Sequence, residues 1–501
     1  MKLKGAVYLV GAGPGDAGLL TLRGAELLAR ADVVIYDQLV NPDLLRLAPQ
    51  AELIHRGKGM AMPQAEITAL LLAQARAGKT VVRLKGGDPY IFGRGGEEAA
   101  ELAAAQIDFE VVPGVSSVVA APNYAGIPLT HRDHCSSFTV FTGHGDPAAA
   151  HTDLRYEQIA KIPGTKVVLM GMDRIAEWTQ NLIQHGMPAA TPVAVVEQGT
   201  TGRQRSVAGT IGTIAALVAE HKIAPPALTV IGDVVKLRPQ LNWFERRPWF
   251  GRRIVVTRTQ TQAGELSRKL AERGAEVLEI PTIKIIPPAN RQPLADALLE
   301  LNAYNWLVFT SPNGVTAFFE YFFKAFEDLR DIGGVRIAAV GPGTAARLKE
   351  LHLKVDLMPE KFLGSEVAAA LAKYESVDNL KICLLRAEVA NPDLPLALEA
   401  LGAIVDDIPC YQTVPETDDR NGAVARLLEA GADWITFTSA STVENFHARL
   451  DLPALLKEFP RLRTASIGPE TSKALVRLGL TPGVEAKVHT LDGLIAAMEK
   501  A

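Results

Sequence analysis

Gly11-Ala12-Gly13-Pro14-Gly15-Asp16 sets three glycines and an acid directly after the apolar run Val7–Val10. Glycine at such a place lets the backbone turn sharply and approach a ligand with no Cβ in the way. The spacing is G-x-G-P-G-D and no Gly-Lys-Ser/Thr follows, so a Walker phosphate loop is excluded and a dinucleotide fingerprint matches poorly. Alone, the loop fits a ligand cradle and a plain strand–helix turn equally. Four more segments tip that balance. Asp37 ends Val34-Ile35-Tyr36-Asp37, and Arg83-Leu84-Lys85-Gly86-Gly87-Asp88-Pro89 runs on into Ile91-Phe92-Gly93-Arg94-Gly95-Gly96-Glu97-Glu98. Val112-Pro113-Gly114-Val115-Ser116-Ser117 and Gly126-Ile127-Pro128-Leu129-Thr130-His131-Arg132 follow. A carboxylate such as Asp37 can take a proton, and Arg94 and Arg132 can clamp carboxylates with forked hydrogen bonds. The bland alternatives are that Asp37 caps a turn and that Arg94 pairs with Glu97 or Glu98. His131-Arg132-Asp133-His134 has the right side chains for a metal, but no further His/Cys cluster supports it, and no metal is expected.

These loops need elements to carry them. From Gly5 to Val235, strand-like runs (Val7–Val10, Val33–Tyr36, Val81–Leu84, Val140–Thr142, Val167–Met170, Val193–Val196, Leu228–Ile231) alternate with Ala/Leu/Glu-rich helical stretches such as Leu19–Ala31, Glu66–Ala77 and Glu97–Ala105. Alternation of this kind predicts an α/β domain with a largely parallel sheet, whose post-strand loops converge at one edge. Residues 1–236 form this unit, with two subdomains split near 115–140. Residues 237–251 are proline-, aromatic- and arginine-rich and lack periodicity, which predicts a linker whose aromatics pack on its neighbours.

Residues 252–501 contain a repeat. Arg253–Arg258 matches Lys381–Arg386 at an offset of 386 − 258 = 128, and the same step takes Gly274 to Gly402, Pro281 to Pro409 and Trp306 to Trp434. It also takes Phe309-Thr310-Ser311 to Phe437-Thr438-Ser439. Two similar α/β lobes follow, one comprising 252–283 plus 412–501 and the other 284–411, with a cleft between them as the natural ligand site. Thr310-Ser311-Pro312-Asn313-Gly314, Gly341-Pro342-Gly343-Thr344, Thr438-Ser439 and Gly468-Pro469-Glu470-Thr471 each stand between an apolar run and an apparent helix. Hydroxyls and unpaired backbone N–H groups there suit either an anion or simple N-capping.

At 501 residues the chain exceeds one hydrophobic core, and 22% charged with 48% hydrophobic residues is ordinary globular composition. A net charge of −4 argues against nucleic acid or anionic membrane as a partner. Cys135, Cys383 and Cys410 form no C-x-x-C pair, which fits free thiols in a reducing compartment. With no apolar signal core and no stretch long enough to span a bilayer, the expectation is a cytoplasmic protein.

The motifs of the front half, GAGPGD, YD-x-LV, KGGDP-x-IFGRGGEE, VVPGVSS and GIPLTHRD, resemble uroporphyrinogen-III C-methyltransferase from about Gly5 to Val235. The resemblance implies S-adenosylmethionine in a trough contacted by Pro14, Gly86, Gly87, Asp88, Ile91, Ser116, Ser117, Met170 and Gly199. It implies Asp37 as proton acceptor, Lys58 as proton donor, and a homodimer formed through this half. The back half, through FTSPNG, VGPGTA, CYQT, FTSASTVENF and IGPETSKAL, resembles uroporphyrinogen-III synthase over about 251–501. That family closes linear hydroxymethylbilane with inversion of the last ring and needs no cofactor. Thr310, Ser311, Asn313, Thr344, Ser439 and Thr471 would bind substrate, and Tyr411 would assist the departing hydroxyl. Together the two halves imply a bifunctional enzyme making precorrin-2, a precursor for siroheme or cobalamin, by methylation at C2 and C7. The alternative is a methyltransferase for another corrin precursor with the back half as a two-lobed ligand sensor.

Overall fold

The computed structural model describes residues 5–56, 62–143, 155–258, 260–360, 364–419 and 421–501. The fold is α/β throughout, with four five-stranded sheets among the described residues. In the first, strands Glu52–Arg56, Val33–Asp37, Val81–Lys85, Val7–Gly11 and Phe109–Val112 lie side by side, all parallel. Alternate residues of its central strands feed two cores. Val10, Val34, Val82 and Leu84 pack with Leu27 and Leu28 on one face, and Val7, Leu9, Val33 and Ile35 pack with Ile67, Leu71 and Leu102 on the other. Burial on both faces is why these strands read as continuous apolar runs.

The second sheet departs from the expected parallel arrangement. Its order is Phe138–Thr142, Thr165–Leu169, Ala227–Ile231, Pro192–Glu197, Arg205–Thr210, and only the first pair is parallel. Strand Arg205–Thr210 forms an antiparallel ladder with Pro192–Glu197 and carries the polar sequence RSVAGT, so periodicity gave no sign of it. Helix Ser117–Tyr124 leaves the first sheet and packs Val118 and Ala121 against Val167, Ala194, Val196 and Leu228 of the second.

Residues 237–251 fold tightly between the two halves. Trp243 and Phe244 pack against Tyr124 in tilted and edge-on contacts, with ring centres 5.0 and 4.8 Å away, whereas Trp249 is buried with Ile254, Leu266, Leu270 and Trp434 of the back half. The third sheet, all parallel, orders Glu276–Glu279, Arg253–Val256, Trp434–Phe437, Arg463–Ser466 and Val484–Glu485. The fourth orders Ile283–Ile286, Ile404–Pro415, Lys381–Ala387, Trp306–Phe309 and Arg336–Ala339. The repeat survives in register: Ile254 pairs with Trp434 as Ile382 pairs with Trp306, and Val256 with Glu279 as Leu384 with Asp407.

One boundary shifts. Residues 412–415, assigned above to the first lobe, pair antiparallel with Ile283–Ile286 in the fourth sheet. The two connections between lobes thus satisfy each other's backbone groups as a ladder, and the chain changes lobe just before Ile283 and just after Pro415. Cys383 and Cys410 are buried free thiols, and burial pushes the Cys410 thiol up to about 12; Cys135 is half-buried. Among the described residues no helix is long and apolar enough to cross a membrane.

Candidate functional site

The parallel first sheet brings its post-strand loops to one edge. After strand Val7–Gly11, the Ala12 amide donates to the Lys85 carbonyl at 2.7 Å, and Gly13 and Gly87 form an antiparallel bridge with Gly87 N–H donating at 2.8 Å. Gly87 holds a φ of +67°, a left-handed conformation that glycine adopts freely. The third segment closes in at Gly114, so near that a Cβ on Gly11 would lie 2.5 Å from the Gly114 Cα. Asp88 ties the loops together, one oxygen accepting from the Gly114 amide (3.0 Å) and the other from the Tyr90 amide (2.8 Å). Ser116 caps helix Ser117–Tyr124, its Oγ accepting from the Val118 amide at 3.3 Å. On the far side, the Asp16 amide donates to Thr200 Oγ1 at 3.1 Å, and the Tyr124 hydroxyl donates to the Asp16 carboxylate at 2.8 Å. Neighbouring Gly199 packs so closely that a Cβ would lie 2.4 Å from that of Ala121.

Pro14, Gly86, Gly87, Asp88, Ser116, Ser117 and Gly199 therefore stand on segments in direct contact. Ile91 follows within the Asp88 turn, its amide on the Asp88 carbonyl at 3.3 Å, with its side chain 44% exposed. Met170 ends strand Thr165–Leu169 with a φ of +53° and is exposed. Sequence reasoning passed over Thr200 and Tyr124, which brace the loop from outside it.

Asp37 closes strand Val33–Asp37 at the same sheet edge and accepts from Arg83 at 2.5 Å. Arg83 is fully buried and shares Glu98 (3.2 Å) with the equally buried Lys85 (3.0 Å), while Gln64 donates to the same oxygen at 2.9 Å. Burial lowers the Lys85 pKa, and the adjoining Arg83 charge lowers it further, against the pull of Glu98. A buried cation without its anion is costly, so Glu98 is what lets two cations occupy a central strand. The sequence carried a signal here: Arg83 and Lys85 fall on one face of an otherwise apolar strand.

Lys58 lies outside the described residues. Arg94, at a φ of +58°, pairs with Glu97 at 2.6 Å, both side chains more than half exposed, and the Arg94 hydrogen bond lowers the Glu97 pKa. Arg132 is exposed in a turn closed by reciprocal backbone bonds between His131 and Cys135. The His131 and His134 rings lie 5.0 Å apart, and no metal-ligating group of three or more was found among the described residues.

In the back half, helices Pro312–Ala325, Pro342–Glu350, Ala440–Leu450 and Pro469–Arg477 start directly after four parallel strands, two in each lobe. Three of them have proline at the first helical position, where no intrahelical N–H partner is lost. Ser311 Oγ accepts from the Gly314 amide at 3.0 Å and shares a 3.0 Å hydrogen bond with the Tyr411 hydroxyl. Tyr411 is buried, which raises its pKa, while bonds to Ser311 and Asn313 oppose that rise. Thr310 precedes this cap, its amide on the Leu385 carbonyl at 3.4 Å. Ser439 and Thr442 form a reciprocal capping box. Thr344 and Thr471, each 3% exposed, stand in the first turns of helices Pro342–Glu350 and Pro469–Arg477.

Residues 6–215 match the family of tetrapyrrole (corrin/porphyrin) methylases, and residues 264–496 match uroporphyrinogen-III synthase HemD. The chain is 39% identical over 496 residues to the porphyrin biosynthesis protein HemD of Ruminiclostridium josui, covering 98% of this chain and 97% of that one. It is 39% identical over 382 residues to the uroporphyrinogen-III C-methyltransferase of Bacillus subtilis, covering 75% and 77%. Over 242 residues it is 51% identical to the S-adenosyl-L-methionine-dependent uroporphyrinogen III methyltransferase of Methanosarcina barkeri, covering 48% of this chain and 95% of that one.

Proposed function

Because the chain belongs to the uroporphyrinogen-III C-methyltransferase family in its front half and the uroporphyrinogen-III synthase family in its back half, we propose that it performs two consecutive steps of tetrapyrrole synthesis. The back half closes hydroxymethylbilane to uroporphyrinogen III, and the front half methylates that product at C2 and C7 to precorrin-2. The observation that carries the front-half reading is the convergence of the Gly13, Gly87, Gly114 and Thr200 segments beside Asp37 at one sheet edge.

S-adenosylmethionine supplies an electrophilic methyl group. The close-packed glycines leave backbone rather than side chain along the trough, which suits a flat adenosine moiety, and Pro14, Gly86, Gly87, Asp88, Ile91, Ser116, Ser117, Met170 and Gly199 would hold it. Asp37 takes the proton that must leave the methylated macrocycle, and Arg83 fixes the carboxylate's orientation from behind. Arg94 exchanges Glu97 for a substrate carboxylate, and Arg132 offers a second fork. This half also forms a homodimer, which sedimentation of the whole protein checks.

In the back half, helix starts from both lobes meet the acidic side chains of a flexible polyanion and bring its ends together. Tyr411, kept protonated by burial and oriented by Ser311, donates to the departing hydroxyl. Hydroxymethylbilane supplied without methyl donor tests this half. Uroporphyrinogen III is expected, and spontaneous closure to the uninverted isomer alone would refute it.

A further inference from the structure

The Gly15-Asp16 end of the glycine loop is gripped by segments remote in sequence. One Asp16 oxygen caps the loop's own turn, accepting from the Gly18 amide at 2.8 Å, and the Gly15 carbonyl accepts from Asn41 Nδ2 at 2.7 Å. The other contacts close a circuit through four residues. The Asp16 amide donates to Thr200 Oγ1 at 3.1 Å, and the Thr200 amide donates to Gln204 Oε1 at 2.9 Å. Gln204 Nε2 donates to the Tyr124 carbonyl at 3.2 Å, and the Tyr124 hydroxyl returns to the second Asp16 oxygen at 2.8 Å. Thr200 and Gln204 are each 2% exposed, in the turn between strands Pro192–Glu197 and Arg205–Thr210.

Tyr124 is the one member of this circuit whose side chain crosses from the second sheet's side to the loop. It ends helix Ser117–Tyr124, whose start carries Ser116 and Ser117. Its ring is held between Trp243 and Phe244 of the segment joining the halves, and Trp243 Nε1 donates to the Asn123 carbonyl at 3.2 Å. Burial, and then the bond to Asp16, raise the Tyr124 pKa, so the phenol is a donor at neutral pH. The loop and the turn are also in contact without it: a Cβ on Gly15 would lie 2.7 Å from Thr201 Cγ2. Pro14 precedes one side of this join and Gly199 the other.

We propose that Tyr124 is a positioning residue for the methyl donor: acting through Asp16, its hydroxyl holds the Gly11–Asp16 loop against the Gly199-Thr200 turn and so fixes the spacing of Pro14 and Gly199. The inference rests on the reading that S-adenosylmethionine lies in this trough. Walls joined in advance bind a ligand more tightly than walls the ligand must order, because the ordering cost is subtracted from the affinity. Without the phenol, the Asp16 carboxylate turns to water and the loop keeps only its backbone bond to the turn. A hydrogen-bonded circuit of buried groups is also cooperative, so loss of one member weakens the rest.

The test measures S-adenosylmethionine binding to the full-length protein by calorimetry, beside methyl-transfer rates against each substrate. Tyr124→Phe keeps the ring between Trp243 and Phe244 and removes the hydroxyl. The dissociation constant and KM for S-adenosylmethionine are expected to rise roughly three- to tenfold, the scale of one hydrogen bond's net contribution, with kcat and the KM for uroporphyrinogen III little changed. On an Asp16→Ala background the same substitution should add nothing. A dissociation constant at the parent's value, with or without a lower unfolding midpoint, overturns the proposal, and so does an equal rise on both backgrounds. Should Tyr124→Phe fold poorly, Thr200 tests the join from the turn's side. Thr200→Val should weaken binding and Thr200→Ser, which keeps the hydroxyl, should not; equal binding by the two overturns the proposal. A parent protein that binds no S-adenosylmethionine would instead refute the reading of the trough.

Discussion

Asp37, the proposed proton acceptor, stands at the end of a buried strand with a buried guanidinium donating to its carboxylate. Asp37→Asn keeps the shape and removes the proton acceptor, so methyl transfer should fall by about a hundredfold or more while S-adenosylmethionine binding, read by calorimetry, stays near the parent's. Loss of binding in parallel would mean that Asp37 serves the cofactor instead. At the other site, Tyr411→Phe removes the hydroxyl shared with Ser311. Ring closure should drop while the unfolding midpoint shifts little. Burial raises the Tyr411 pKa above the usual value of about 10, so the phenol stays protonated through neutral and mildly alkaline pH. Type-III product formation should therefore lack a falling limb from this group below about pH 10. The segments that carry Asp37 and Tyr411 were legible in the sequence because they stand at or near strand ends in recognisable motifs. Arg83 left a trace as a cation on an apolar strand, but its partner Glu98 and the bracing Thr200 were not legible, because they join the site only through contacts between separate segments of the chain.

Elements impose different tolerances. Strand Val81–Lys85 carries two buried cations, and Glu98 on helix Gly95–Ala104 is the carboxylate they share. Glu98→Leu strands Lys85 and leaves Arg83 with Asp37 alone, and denaturant unfolding should show the methyltransferase half weakened by about 3–5 kcal/mol. A change under about 1 kcal/mol would show that the cluster is not held by Glu98. Where the Gly11 and Gly114 backbones touch, Gly11→Ala forces a Cβ to 2.5 Å from a Cα. Overpacking of this kind costs about 1–3 kcal/mol and would separate the loops, so cofactor affinity should fall with stability. Cofactor binding at parental affinity would contradict the close-packed trough. The parallel strands were legible because burial on both faces writes continuous apolar runs. The antiparallel edge strand Arg205–Thr210 was hidden because half of it faces solvent and its residues are polar or small.

Across the whole molecule, the fusion was visible as a change in pattern: a single α/β run, then a proline-rich break, then a repeat of constant step. The contacts crossing that break were not visible. Trp249 is buried in the synthase half while Trp243 and Phe244 pack against Tyr124, and Arg46 reaches Glu279 across 233 residues of chain. Such pairings depend on how completed domains dock, which local periodicity does not record. Two consecutive enzymes on one chain raise the effective concentration of an unstable intermediate at the second site. The central claim is that both steps occur in one protein, and it is tested most directly by giving the intact chain hydroxymethylbilane and S-adenosylmethionine together and resolving the product by mass and isomer. A dimethylated macrocycle of the type-III series is the predicted result; an unmethylated product, or one of the uninverted series, would contradict the account.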